Sequence, residues 1–134
     1  MLPEEERFAI AKWRIEKART NVEAAKVLLD SKMFAESANR SYYAVFHAMN
    51  SLSALEGVTY KKHSGVLSHF NRCYIKTEIF DVEYGKIAKK AFQVRTKSDY
   101  EDFYIVSYEE VTEQYNNAVR FVEAIEEYIL KTTK

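Results

Sequence analysis

The chain has 134 residues, 47% of them hydrophobic and 30% charged, with 20 basic side chains balanced by 20 acidic ones. That length fits a single domain, residues 1–134, with a real core, and the zero net charge excludes a uniformly basic or acidic particle. Three glycines, one proline and one cysteine exclude a loop-rich β fold and an intrachain disulfide framework.

The N-terminal stretch MLPEEERF is acidic and has no apolar core, so it does not read as a signal peptide. No run approaches the roughly 18 apolar residues that span a bilayer, so no membrane is expected and the expected location is cytoplasmic. A first helix is predicted from Pro3, a favoured first-turn residue, with Glu4, Glu5 and Glu6 opposing the helix dipole. Phe8, Ala11, Ile15, Ala18, Val22, Ala25 and Leu29 recur at three- and four-residue steps and form its apolar stripe. Asp30, Ser31 and Lys32 make the turn.

A second helix follows from about Met33 to near Gly57, a residue able to take the left-handed conformation that ends helices. After a loop, a shorter helix is predicted from about Ser64. Asp81 is a cap for a fourth helix carrying Val82, Ile87, Ala91 and Val94. The least regular stretch, KSDYEDFYIV (97–106), is expected as the longest loop, fixed by an ion pair and hydrogen bond among Arg95, Asp99 and Tyr100. Ser107 followed by Glu110 reads as a capping box opening the last helix. There Val111, Tyr115, Ala118, Val122, Ile125 and Ile129 form a heptad-like seam. The sum is an all-α, up-and-down bundle of four or five helices.

Charge is unevenly spread: residues 61–97 hold nine basic against three acidic side chains, and residues 98–134 hold three basic against nine acidic. Solvated helix faces explain this, and so does one basic side beside one acidic side.

The second helix raises the functional question. Arg40 and His47 are seven residues apart, so on a helix they differ by only about 20° around the axis. Glu36, Tyr43, Ala44, Asn50, Ser51 and Ala54 share their side. Ala38, Tyr42, Val45, Phe46, Met49 and Leu52 form the opposite, core-facing stripe. A solvated face would be rich in lysine and glutamate; this one is small, aromatic and imidazole-bearing, as at a contact surface or cleft. Imidazole exchanges protons near neutral pH, and guanidinium holds two phosphate oxygens at once. Seven residues rise about 10.5 Å, and helical side chains lean toward the N-terminus, so the two tips diverge within one chain. A second copy packed antiparallel across a two-fold axis brings Arg40 of one chain toward His47 of the other.

With Arg40, six intervening residues and His47, set in NRSYYAVFHAMNSL and followed by Arg95-x-x-x-Asp99-Tyr100, the chain resembles a HEPN domain of the small free-standing prokaryotic type. The resemblance covers nearly the whole chain. It implies a helical bundle that dimerises through the motif helices and metal-independent endoribonuclease activity. It further implies a toxin whose antitoxin is a small nucleotidyltransferase. Met49 stands where some members carry a tyrosine that receives a nucleotide, a departure from the pattern that leaves this form of control open. Ser41 follows the arginine where many active members have asparagine, aspartate or histidine. On this reading Arg40 and His47 are catalytic, and Tyr43, Asn50 and Ser51 position the RNA. The alternative is a non-catalytic nucleotide- or partner-binding module on the same surface, or an inert scaffold in which the pair is structural.

No cofactor and no metal are expected. None of His47, His63 and His69 has a glutamate three residues before it, as an inward-facing di-iron site requires. His63 and His69 read as ordinary surface or loop residues, and there is no glycine-rich phosphate loop.

Overall fold

A computed structural model describes residues 2–132. The described residues form five α-helices: α1 (Glu4–Asp30), α2 (Phe34–Glu56), α3 (His63–Phe70), α4 (Val82–Tyr100) and α5 (Tyr108–Thr132). A π-helical turn, Asn71–Ile75, continues α3, with the Lys76 N–H donating to the Asn71 carbonyl at 2.9 Å. Among the described residues there is no strand, and no helix is long and apolar enough to cross a membrane.

The helix ends follow local chemistry. Gly57 adopts φ 76°, and its N–H and that of Val58 return to the Ala54 and Ser53 carbonyls, closing α2. Asp81 caps α4 by accepting from the Glu83 N–H at 3.0 Å. Ser107 accepts from the Glu110 N–H at 3.0 Å, which is half of the expected capping box. The reciprocal half is absent because the Glu110 carboxylate accepts instead from the Tyr104 hydroxyl. Helix α4 runs on to Tyr100, so the loop is shorter than expected and begins at Glu101. The Arg95–Asp99 pair, 2.8 Å apart, lies one turn apart on that helix and supports its last turn rather than a loop. Tyr100 is exposed and takes no part.

Helix α2 is the axis of the bundle, packing against α1, α3, α4 and α5. Its pairing with α1 is antiparallel, and the cross-links show the register. Ser37 Oγ donates to the Ala25 carbonyl at 2.7 Å, Arg14 to Asn50 O at 2.9 Å, and Arg7 to Leu55 O at 2.9 Å. Ala11, Ala18 and Ala25 on α1 and Ser37, Ala44 and Ser51 on α2, each set repeating every seven residues, are all fully buried. Small side chains at heptad spacing let two backbones approach closely. Here the expected division of α2 into an apolar and a polar side is corrected. Ala44, Ser51 and Ala54 are not cleft residues; they are buried beneath α1.

The main core joins Tyr42, Leu52, Phe70, Phe121, Ile125 and Ile129, with a smaller cluster of Leu29, Ala38, Val94, Val106 and Val111. Between α4 and α5, Lys90 of the basic half approaches Glu110 of the acidic half at 4.0 Å, while Arg120 and Glu83, each a minority charge of its own half, pair at 3.0 Å. Part of the charge segregation is thereby used between helices.

Candidate functional site

Arg40, Tyr43 and His47 follow one another along an edge of α2, beside the seam with α1, and all three are half-buried. The Arg40 guanidinium donates to Asn21 Oδ1 at 3.0 Å and Asn39 Oδ1 at 2.7 Å. Both partners are neutral, and no carboxylate of the described residues forms an ion pair with it, including Glu36 one turn away. Its charge is therefore oriented but not neutralised. The Arg40 Cζ lies 5.0 Å from the centre of the Tyr43 ring, and that ring lies 6.1 Å from His47. Tyr43 thus stands between the two groups.

A second guanidinium reaches the same tyrosine. Arg95 of α4 sits 5.3 Å from the Tyr42 ring centre and 5.7 Å from that of Tyr43, with an Nη 3.5 Å from the Tyr43 hydroxyl. His63, at the start of α3, closes the cluster. Its ring stacks on Phe46 at 4.0 Å, and the tautomer with its proton on Nε2 lets the Tyr42 hydroxyl donate to Nδ1 at 2.7 Å. Burial pushes that hydroxyl up to about 12, so it keeps its proton. The expectation for His63 is thus corrected: it is a packed aromatic neighbour of the site. His69 is corrected further, being only 2% exposed.

His47 opens into a shallow depression of about 370 Å³ against α1, lined by Trp13, Glu16, Lys17, Thr20 and Asn21. Arg40 opens into an adjoining one of about 590 Å³, shared with Glu36, Asn39, Ser98 and Asp99. Asn21 stands where the two meet, since it lines the first and holds Arg40. Asn50 is half-buried, one turn beyond His47. Ser51 does not join the site: it is fully buried and its hydroxyl donates to the Ala48 carbonyl at 2.5 Å.

Burial, helped by Lys17, Arg40 and Arg14, lowers the His47 imidazole from 6.5 to about 4. The ring is neutral at neutral pH and enters any reaction as a proton acceptor. His63 is lowered in the same way, by burial and then by Arg95. The unfolded chain therefore binds more protons than the folded one between about pH 6.5 and pH 4. The stability from neutral His47 is complete above about 6.5 and is lost as the pH falls toward 4, an effect of about 1–2 kcal/mol once partial exposure is allowed for. Thermal melts of wild type and His47→Gln at pH 7.5 and pH 4.5 check this: the substituted protein should show a smaller drop.

Sequence reasoning did not single out Trp13, Lys17 or Asn21. Trp13 had a signal, because it falls off the apolar stripe of α1 yet is the only tryptophan; it is 60% exposed, with Lys17 Nζ 5.9 Å from its ring centre. The contact of Arg95 with Tyr43 had none, since 52 residues separate them.

A HEPN domain profile matches residues 11–128. The chain belongs to the HEPN family. It is 36% identical over 117 residues to a UPF0332 protein of Thermotoga maritima, covering 87% of this chain and 88% of that one. Two proteins of Methanocaldococcus jannaschii that bear the name "Putative toxin" are also similar. One is 30% identical over 116 residues (87% of this chain, 79% of the other) and one 35% identical over 86 residues (64% of each). The Arg40-x6-His47 pair of this HEPN chain lies in the matched region.

Proposed function

We propose that this HEPN protein is a metal-independent endoribonuclease of the toxin type, working as a homodimer whose α2 helices form a composite site. One observation carries the reading: an oriented guanidinium without a carboxylate partner shares a half-exposed helix edge with a neutral imidazole. An RNA phosphodiester supplies the missing anion for Arg40, and the adjacent ribose 2′-hydroxyl supplies the proton that His47 takes. In the reaction the ribose 2′-oxygen forms a bond to the adjacent phosphorus as the bond to the 5′-oxygen breaks. His47 takes the 2′-hydroxyl proton, and a proton returns to the leaving 5′-oxygen. The charge building on the non-bridging oxygens is met by Arg40. Trp13 and Tyr43 offer ring faces for bases, and Lys17 a phosphate contact. Silencing by a small nucleotidyltransferase antitoxin fits the toxin names of the relatives.

The shared site has support in the single chain, where Arg40 and His47 open into different depressions. Complementation tests it. Arg40→Ala and His47→Ala proteins should each lose most of the cleavage activity. In a mixed dimer with a composite site, one of the two sites regains both native groups. Random mixing makes about half the dimers mixed, so about a quarter of the wild-type cleavage rate should return. A site contained in one chain returns nothing.

The second reading, a binding module without turnover, also has an observation behind it, since His47 and Arg40 open into separate depressions within one chain. It predicts RNA or nucleotide binding by clean wild-type protein with no cleavage products, in the absence of any antitoxin.

A further inference from the structure

At the far end of α2, nine residues and roughly 13 Å along the axis from His47, three side chains of different chemistry converge. They are Glu56 at the close of α2, His69 at the end of α3 and Cys73 in the π-helical turn. A carboxylate oxygen, a ring nitrogen and the thiol sulfur all lie within 4.8 Å of one another. We propose that Glu56, His69 and Cys73 form a zinc-type divalent cation site that ties α2 to the α3–π segment.

Three features support it. The ligand set mixes nitrogen, sulfur and oxygen, which suits a borderline-soft cation such as zinc and not magnesium or calcium. Bond lengths of 2.0–2.3 Å place the donors of a tetrahedral ion about 3.3–3.7 Å apart, so the observed spread closes with a contraction of about 1 Å. His69 Nε2 is already 3.0 Å from Glu56 Oε2.

Next, His69 is buried, yet its Nδ1 has no hydrogen-bond partner. An imidazole held in the core with one nitrogen idle and the other on a carboxylate has ligating capacity to spare, and such buried groups call for a reason.

The surroundings also hold the ligands in place. The Tyr74 hydroxyl donates to Glu56 Oε2 at 2.6 Å, and the Tyr60 and Tyr74 rings flank the imidazole at 5.2 and 5.9 Å. Partners of this kind orient metal ligands. The π-helical turn carries Cys73, and insertions of this type recur at functional sites. Glu56 keeps 39% of its side chain exposed, which leaves a way in and a fourth position for water.

The site is independent of the cleavage reading, and its test does not use RNA. The full chain, stripped with a chelator, is titrated with Co²⁺. One equivalent per chain should bind with a thiolate-to-cobalt charge-transfer band, and Zn²⁺ should displace it. Cys73→Ser should abolish the band, and Glu56→Gln should weaken binding about tenfold or more. Zn²⁺ should also slow alkylation of Cys73 in the wild type, a readout that needs no substitution. Absence of the band, unslowed alkylation, or Co²⁺ affinity unchanged in Cys73→Ser would overturn the proposal.

Discussion

His47→Ala is expected to lower RNA cleavage by about 10²–10⁴-fold, the range for removing a positioned proton-transfer group. Arg40→Ala should lower it by about 10²–10³-fold through lost charge stabilisation, as when one donor is removed from an oxyanion site. Arg40→Lys should recover only part, because an ammonium lacks the planar fork that meets two phosphate oxygens. Neither change should unfold the protein. His47 makes ring contacts with Tyr43 and Phe46 but stays half-exposed, and Arg40 donates to the side chains of Asn21 and Asn39 at the seam edge. Melting temperatures near wild type, with cleavage of a single-stranded RNA lost, meet the prediction. Unchanged cleavage by His47→Ala rejects the mechanism, and melting far below wild type would make the pair structural.

The largest stability effect is expected at Phe121→Ala. Phe121 is fully buried in α5, and its ring lies 5.3 Å from Phe70 and 6.2 Å from Tyr84. It joins α5 to α3 and α4, next in sequence to the exposed Arg120–Glu83 ion pair. Truncation removes the buried ring and leaves a cavity that three helices cannot close together, at a cost of about 3–5 kcal/mol. For a chain of this length that is a fall of about 10–20 °C in melting temperature. Calorimetry checks it. Together the two substitutions separate lost chemistry from lost packing, since His47→Ala should act on rate and Phe121→Ala on melting.

Much of the bundle was legible because helical periodicity is a local property. The α1 positions Ala11, Ile15, Ala18, Ala25 and Leu29, and the α5 positions Val111, Ala118, Val122, Ile125 and Ile129, are all buried as their spacing predicts. Asp81 and Gly57 punctuate the chain where their side-chain and backbone chemistry requires. Periodicity failed in two places. The 97–100 segment is helical despite its polar composition, because the Arg95–Asp99 pair and the position of α4 against α2 support it. The small residues of α2 resemble a cleft in sequence, yet they are where α1 approaches.

The candidate site divides along the same line. By itself the sequence determined the helical class, the order and most of the ends of the helices, and the placing of Arg40, Tyr43 and His47 on one side of α2. These depend on a 3.6-residue period and on capping atoms a few residues away. The tertiary structure alone decided which of that side's residues stay accessible, removing Ser51 and adding Trp13, Lys17, Asn21, His63 and Arg95. It alone brought Glu56, His69 and Cys73 together. Burial, the depressed basicity of His47 and the uncompensated charge of Arg40 come from atoms distant in the chain, and no local pattern encodes which helix covers which face.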